Sequence, residues 1–180
     1  MTADRSVWTA LSDTELLAQC ELDTYRASGP GGQKRNKTSS AVRIRHLPSG
    51  LIVISEESRS QHENREQALR RMRKALWLEL RMSIPEAVRT TESIARRPEY
   101  ADARGRDGRL SLGVKNPLFW PVVGLVLDLL TDFQAQVSLV AAALGISTGN
   151  LIRFLDEDPK VWQAANRIRV AYGRKNLKTE

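Results

Sequence analysis

The stretch from Ser28 to Val42 reads SGPGGQKRNKTSSAV, a glycine-rich run that ends in a glutamine and continues into basic and small polar residues. Two adjacent glycines, Gly31 and Gly32, free the backbone to take φ and ψ values that a Cβ would forbid. Main-chain groups can then approach a ligand closely. A Gly-Gly-Gln tripeptide alone is typical of a flexible turn, so its meaning depends on the residues around it.

The residues on either side of this stretch predict a small sheet. Residues 21–27 form a first strand that leads into the glycine-rich stretch. Residues 42–46 alternate apolar with basic side chains, as a half-buried strand does, and place Arg43 and Arg45 on one face. A turn sequence, Pro-Ser-Gly, precedes the apolar run 51–54. These two runs therefore predict an antiparallel hairpin.

Helices are predicted before and after these strands. Ser12 and Glu15 have the spacing of a capping box, which predicts a short helix that begins at Asp13. From residue 62 to residue 82 the apolar side chains recur at helical spacing. The predicted fold class is α+β: a small antiparallel sheet backed by one long helix, with a projecting glycine-rich loop.

The second half of the chain predicts a separate helical unit. Residues 84–116 hold several prolines and glycines with little periodicity, which indicates a linker with one short helix at residues 86–95. Helical patterns follow, and their glycine, small and apolar positions fit a helix-turn-helix; they cover residues 117–133, 137–144, 149–155 and 159–172. We therefore expect a catalytic domain at 1–83, a linker at 84–116, and a helical, helix-turn-helix-like bundle with a basic tail at 117–180.

Composition points to a polyanionic partner. The net charge is +7 and the pI about 10.0, which fits nucleic acid or an anionic membrane. Residues 24–82 carry eight more basic than acidic side chains, and residues 159–180 carry five more. The second helix of the predicted helix-turn-helix offers only Arg153 and runs into an Asp-Glu-Asp sequence, which disfavours DNA.

Several classes of protein are disfavoured by the same composition. Cys20 is the only cysteine, and His46 and His62 are the only histidines, so we expect no disulfide framework, no metal site and no cofactor. Cys20 is expected to be a small buried residue, and the histidines structural or RNA-facing. The N-terminus lacks an apolar run, and the apolar stretch 117–130 is too short to cross a bilayer. We expect a soluble, cytoplasmic monomer with no membrane partner.

Taken together, these motifs resemble the catalytic domain of class I peptide release factors and of the related short hydrolases that rescue stalled ribosomes. The similarity runs through residues 23–33, Asn36, 39–42 and 46–50, and ends at the Arg-Ser-Gln sequence 59–61. The resemblance implies hydrolysis of the peptidyl-tRNA ester in the peptidyl-transferase centre of the large ribosomal subunit. It also implies that Gly31 and Gly32 set the backbone direction and that Gln33 supplies a main-chain N–H donor and lines the water pocket.

The resemblance and the charge pattern together suggest RNA contacts. The expected RNA-binding residues are Arg26, Lys34, Arg35, Asn36, Lys37, Arg43, Arg45, Arg59, Ser60, Gln61, Arg167, Arg169, Arg174 and Lys175. A solvated basic loop or helix face is the alternative interpretation of these cations. The implied partners are the ribosome, peptidyl-tRNA and, if Gln33 is methylated, a glutamine N-methyltransferase.

Codon-independent rescue is the expected role. Long release factors read stop codons with Pro-x-Thr or Ser-Pro-Phe motifs, which this sequence lacks, and fewer than thirty residues precede the loop. The alternatives are a noncatalytic ribosome- or RNA-binding module and, less favoured, a helix-turn-helix DNA-binding regulator.

Overall fold

A computed structural model describes residues 5–25, 40–105 and 107–178. The chain divides into two compact units, Met1–Leu76 and Trp77–Glu180. This division differs from the predicted boundaries at residues 83 and 116.

The first unit combines short helices with a sheet. Its elements are α1 (Arg5–Thr9), α2 (Asp13–Ala18), β1 (Cys20–Tyr25), β2 (Ala41–His46), β3 (Ile52–Ser55) and most of α3 (Gln61–Glu79). The order of the strands in the sheet is β1-β2-β3, and both neighbouring pairs are antiparallel. The predicted α+β class, with a small antiparallel sheet and a β2–β3 hairpin, is thus confirmed.

The helix predicted from the capping box is confirmed at Asp13. The Ser12 main-chain N–H donates to Glu15 Oε2 at 2.8 Å, and the Glu15 main-chain N–H donates to Ser12 Oγ at 3.3 Å. The two residues thus satisfy backbone donors that the first turn of a helix leaves unpaired.

Alternation along β2 separates the two faces of the sheet. Val42, Ile44 and His46 are fully buried, whereas Arg43 and Arg45 are exposed. Side chains of a strand point alternately to opposite faces, so this pattern follows directly from the sequence. The prediction that the two arginines share one face is confirmed.

The long helix α3 carries one buried stripe. Ala68, Met72 and Leu76 are fully buried and Leu69 nearly so, at the three- and four-residue spacing of a helix face. Hydrogen bonds tie the helix to the strands: Asn64 Nδ2 donates to the Ser40 carbonyl at 2.7 Å, and Arg71 donates to the Ile54 carbonyl. The helix begins one residue before the predicted start and ends three residues before the predicted end.

The second unit is helical in its described residues. A 3-10 helix at Glu86–Val88 precedes α4 (Thr91–Ala95), α5 (Pro98–Ala101), α6 (Phe119–Asp132), α7 (Val137–Leu144), α8 (Thr148–Asp156) and α9 (Pro159–Ala171). Ten α6 residues are buried: Phe119 and the nine consecutive residues from Val122 to Leu130. The core around them also includes Ile94, Tyr100 and Leu110, from the segment that the sequence indicates as a linker.

Two local differences from expectation have physical causes. The single helix expected at residues 86–95 is two short elements, because Thr90 caps the start of α4 by accepting from the Ser93 N–H at 3.2 Å. The helix α5 begins at Pro98, whose fixed φ suits the first helical position.

By length and apolar character, none of the individual helices in residues 5–25, 40–105 and 107–178 qualifies as a membrane span. Helices α7 and α8 qualify only when taken as a pair, with a bend of 98° between them.

Candidate functional site

The predicted catalytic residues fall between β1 and β2. Gly31, Gly32 and Gln33 lie outside the described residues, as do five of the predicted RNA-binding residues: Arg26, Lys34, Arg35, Asn36 and Lys37. The structure does describe the two residues that flank this segment in the sheet. Tyr25 is the register partner of Ala41 in the antiparallel β1–β2 pair. The chain therefore leaves the sheet and returns to it at the same end.

A buried asparagine fixes the point of return. Asn64, in the first turn of α3, is fully buried. Its Nδ2 donates to the carbonyl oxygens of Ser40 at 2.7 Å and Ser58 at 2.8 Å, and its Oδ1 accepts from the Ser58 N–H at 3.0 Å. The Ser55 hydroxyl also contacts Oδ1, at 3.4 Å. One side chain thus joins the start of β2, the end of β3 and the turn before α3. A buried amide needs this many partners because unpaired buried polar groups are costly.

An ion pair lies beside the same end of the sheet. Glu57 Oε1 accepts from Arg71 at 2.5 Å, and Glu57 Oε2 accepts from the Ser55 hydroxyl at 2.8 Å. The Arg71 hydrogen bond, together with weaker ones from Ser55 and the backbone, lowers the pKa of Glu57 to about 2. Ser55 is the register partner of Val42. The carboxylate therefore stays charged at neutral pH and holds α3 to the end of β3.

The exposed face of the sheet carries the predicted RNA-binding residues Arg43 and Arg45. Each pairs with a carboxylate on β1: Arg43 with Asp23 at 2.6 Å and Arg45 with Glu21 at 3.7 Å. The hydrogen bonds that the Arg43 guanidinium donates to Asp23, aided by the charge of this carboxylate, raise the pKa of Arg43. Both pairs follow from the register, since Asp23 faces Arg43 and Glu21 faces Arg45. The positive charges of Arg43 and Arg45 are thus compensated by carboxylates, which the sequence analysis did not predict.

The Arg-Ser-Gln sequence opens α3. Ser60 acts in the structure of this turn, because its hydroxyl accepts from the Glu63 N–H at 3.3 Å and its main-chain N–H donates to Ser58 Oγ at 3.0 Å. Arg59 and Gln61 are exposed. Arg59 and Gln61 are therefore more accessible to a partner than Ser60, which is engaged in the turn.

The cations predicted near the C-terminus fall into two groups within the second unit. Arg167 pairs with Glu79 at 2.7 Å, and Arg169 donates to the carbonyl oxygens of Ala135 and Lys175 at 2.9 and 2.8 Å. Burial lowers the pKa of Arg169. Arg174 and Lys175 are exposed, and neither side chain has a partner in the described part of the chain. The second group is therefore the better placed to meet phosphates.

The two histidines occupy different environments. His46 is fully buried, with Nδ1 2.7 Å from Ser49 Oγ and its ring 4.9 Å from the ring of Trp8 in an edge-on contact. Burial lowers the pKa of His46. His62 is exposed, 3.7 Å from Glu66. The structure thus gives His46 a packing role.

Sequence reasoning missed Asn64 and Glu57. Asparagine is a poor helix former, so its place in an otherwise strongly helical stretch was the available signal for Asn64. No comparable signal existed for Glu57, because its role depends on Arg71, fourteen residues away along the chain.

Comparison with known proteins gives one family. The sequence model described as RF-1 domain matches residues 15–107, slightly more than half of the 180 residues. This match includes Gly31, Gly32, Gln33 and the Asn64 and Glu57 contacts described above.

Among the similar curated proteins are three bacterial release factors. Peptide chain release factor 1 of Malacoplasma penetrans is 51% identical over 70 residues, 37% of this chain and 20% of that protein. Peptide chain release factor 2 of Acidithiobacillus ferrooxidans is 55% identical over 60 residues, 33% of this chain and 16% of that protein. Peptide chain release factor 1 of Mycoplasma genitalium is 38% identical over 126 residues, 64% of this chain and 34% of that protein. The alignments thus span about a third or less of these relatives' length.

Proposed function

The chain belongs to the RF-1 domain family of class I peptide release factors, and from this premise we propose that it hydrolyses the ester between a nascent peptide and tRNA on the ribosome. Water is the nucleophile, and the peptide leaves from the terminal ribose oxygen of the tRNA. The proposal extends to release that does not depend on a stop codon, as in the rescue of stalled ribosomes.

One observation carries the proposal: the family match includes Gly31, Gly32 and Gln33, and the described strands flank them as a single connection. Tyr25 and Ala41 are register partners, and Asn64 holds Ser40 just before β2. A segment with both ends fixed in this way has a defined base on which to present its backbone. The chemistry requires such presentation, because a donor acts only when it is aimed at the developing charge.

The proposed mechanism rests on one main-chain donor. Ester hydrolysis passes through a tetrahedral species with negative charge on oxygen, and a positioned N–H stabilises this species more than the ground state. We assign that N–H to Gln33, with Gly31 and Gly32 setting its direction. Loss of one such donor commonly costs about 3 to 4 kcal/mol of barrier. The side-chain amide of Gln33 lines the pocket for water.

The proposed partners are the ribosome and peptidyl-tRNA. Lys34, Arg35 and Lys37 follow the tripeptide directly in sequence, and basic side chains gain affinity for RNA by releasing condensed counterions. Arg26, Asn36, Arg59 and Gln61 are further proposed contacts. Methylation of Gln33 by a glutamine N-methyltransferase is part of the same proposal. What supports codon independence is that the sequence contains no Pro-x-Thr or Ser-Pro-Phe tripeptide.

The first prediction separates the two roles of the tripeptide. Gly32→Ala should abolish peptide release while ribosome binding survives, because a Cβ at this position restricts the backbone that aims the donor. Gln33→Ala should keep appreciable activity, since the main-chain N–H remains, but lose selectivity for water over larger nucleophiles. Release of labelled peptide from ribosome-bound peptidyl-tRNA measures both effects.

The same assay decides between the candidate functions. Ribosomes are prepared with peptidyl-tRNA on a truncated message, on a sense codon and on a stop codon. Equal release from all three supports rescue, whereas release at the stop codon alone contradicts codon independence. Binding without release on any complex would identify a noncatalytic module, and full activity of Gly32→Ala would refute the backbone-donor mechanism.

A further inference from the structure

A groove of about 740 Å³ runs along α9 in the second unit. Its lining residues on the helix lie between Trp162 and Ala171, at spacings that keep them on one side of the helix. The stretch from Trp162 to Val170 is about 12 Å long at the rise of an α-helix. The groove lies outside residues 15–107, which the family model matches.

The C-terminal tail contributes Asn176 to the lining of this groove. Gly173 turns the chain with φ +67°, and the Arg174 main-chain N–H donates to the Arg169 carbonyl at 2.8 Å. The Arg169 side chain donates to the Lys175 carbonyl at 2.8 Å, and the Leu177 N–H donates to Asn166 Oδ1 at 2.7 Å. Two side chains of α9 thus hold the tail against their own helix, which makes the groove a built feature of the fold.

The lining combines an aromatic ring with side-chain amides. Trp162 is half-buried and packs against the hydrophobic core, so its ring is held in place. Gln163 and Asn176 are exposed amides, and Asn166 keeps its Nδ2 group for a further partner. Within the described residues, no carboxylate lines the groove.

Exposed cations lie close along the chain to Asn176, the tail residue that lines the groove. Arg174, Lys175 and Lys178 are exposed on the tail, and no side-chain partner is found for them among residues that the structure describes. Arg167 also lines the groove, paired with Glu79. A polyanion gains affinity from such cations by counterion release, so charge complementarity favours an occupant with phosphates.

The residue types favour nucleobases over a protein helix. A groove that accepts an amphipathic helix offers several large aliphatic or methionine side chains to its apolar anchors. This groove offers one tryptophan, the smaller Val170 and Ala171, and several amides. Proteins that bind unpaired bases use an aromatic ring to stack on the base and nearby polar groups to hydrogen-bond with its edge.

We propose that the α9 groove binds unpaired bases of single-stranded RNA, with one base stacked on Trp162, its edge facing the amides of Gln163 and Asn176, and the backbone phosphates facing Arg174, Lys175 and Lys178. The inference rests on the proposed function only in that RNA is the partner proposed there. It does not require the hydrolysis to occur.

The test measures binding of the full chain to a short unstructured RNA, labelled at one end, by fluorescence anisotropy at fixed salt. Trp162→Leu should weaken binding about ten-fold or more, because stacking on one base is lost. Trp162→Phe retains an aromatic face for stacking, so its affinity for this RNA should be within about three-fold of that of the wild-type chain. Arg153→Gln removes an exposed cation of α8 that does not line this groove, and its binding should be unchanged. Thermal unfolding of each variant checks the fold.

A second variant avoids the core contact of Trp162. Gln163→Ala combined with Asn176→Ala changes two exposed side chains. This double variant should bind single-stranded RNA several-fold more weakly, while its affinity for a duplex of the same length should be unaffected. Equal affinity for single strand and duplex in the unchanged chain would overturn the proposal, and so would wild-type binding by Trp162→Leu. Tight binding of an acidic amphipathic peptide that RNA does not displace would overturn it as well.

The outcomes separate this inference from the proposed function. A chain that binds the RNA through Trp162 yet releases no peptide refutes the hydrolysis alone. A chain that releases peptide normally but binds RNA equally well with Leu at position 162 refutes the groove alone.

Discussion

At the scale of single residues, Asn64 joins three parts of the first unit: the residue before β2, the end of β3 and the turn before α3. Its side-chain amide is fully buried and forms hydrogen bonds with Ser40, Ser55 and Ser58. The Ser40 contact lies directly before β2, at the point where the chain from the proposed catalytic tripeptide enters this strand. Asn64 is therefore a positioning residue in the proposed reaction, acting through the backbone that it holds.

Replacing Asn64 should be costly. Asn64→Leu removes the partners of two partly buried carbonyl oxygens and one N–H, so we expect a loss of about 2 to 3 kcal/mol in the free energy of unfolding. Denaturant unfolding measures this loss, and peptide release should fall with it. Gln67→Ala, about one turn further along α3, is the matched control and should change stability by less than about 0.5 kcal/mol. Equal stability of the two variants would contradict the structural role assigned to the Asn64 hydrogen bonds.

The Glu57–Arg71 pair predicts a pH dependence. Because the folded-state pKa of Glu57 is lowered to about 2, its contribution to stability is present above the unfolded value near 4.5 and is lost as pH falls toward 2. The difference in melting temperature between the unchanged chain and Glu57→Gln should therefore shrink between about pH 5 and pH 3. Glu86→Gln, an exposed residue without an ion pair in the described chain, should change little at any pH. A constant difference for Glu57→Gln would contradict the pairing.

The sequence predicted which face of the sheet holds Arg43 and Arg45, but not that each is paired with a carboxylate. Alternation alone fixes the face. Their neutralisation by Asp23 and Glu21 depends on the β1–β2 register, which pairs residues twenty or more positions apart and which no local pattern records. The partners of Asn64 and Glu57 also lie far along the chain, so local patterns could not identify them.

At the scale of elements, the turn between α7 and α8 depends on Gly145. This residue has φ +67°, and a Cβ built on it would lie 2.9 Å from Thr91 Cγ2 and 3.2 Å from the Arg104 guanidinium. Gly145→Ala should therefore destabilise the second unit by about 1 to 2 kcal/mol or more, from the left-handed backbone and the contact together. Thermal or denaturant unfolding measures this change.

Gly149 provides the matched control for this turn. It lies in α8, and nothing stands within 4 Å of a Cβ added there. Gly149→Ala should leave stability unchanged or raise it by up to about 1 kcal/mol, because alanine restricts the unfolded chain. A similar loss in both variants would show that the Gly145 conformation is not the cause.

The elements that sequence predicted are those with long or regular patterns. Helices α3, α6 and α9 and the β2–β3 hairpin have enough residues for their periodicity to be read. Helices α1 and α5, of five and four residues, were not predicted. Such short helices are unstable alone and form through tertiary contacts; Tyr100 of α5, for example, is buried and donates to the Leu144 carbonyl at 2.7 Å.

At the scale of the whole molecule, the net charge of +7 should make RNA binding depend strongly on salt. If Arg174 and Lys175 each contact a phosphate, Arg174→Gln with Lys175→Gln should reduce the slope of log affinity against log salt by about 1.4 for single-stranded RNA. Titrations at several salt concentrations measure the slope.

A control with the same change in charge isolates the position of these cations. Arg96→Gln with Arg153→Gln also removes two positive charges, but Arg96 is paired with Glu92 at 2.5 Å and neither residue lines the α9 groove. The salt dependence of this variant should match that of the unchanged chain. Equal slopes in the two double variants would show that only total charge matters.

The pairing of Tyr25 with Ala41 has a consequence for divergence among relatives. Since both strands end on one rung of the ladder, residues can be inserted or deleted between them without shifting any hydrogen bond of the sheet, and the added closure entropy grows only slowly with length. Evolution can therefore lengthen or shorten this connection at small cost to the scaffold. For the stability of the sheet, variation in the length of this connection should therefore cost far less than insertions or deletions within the strands.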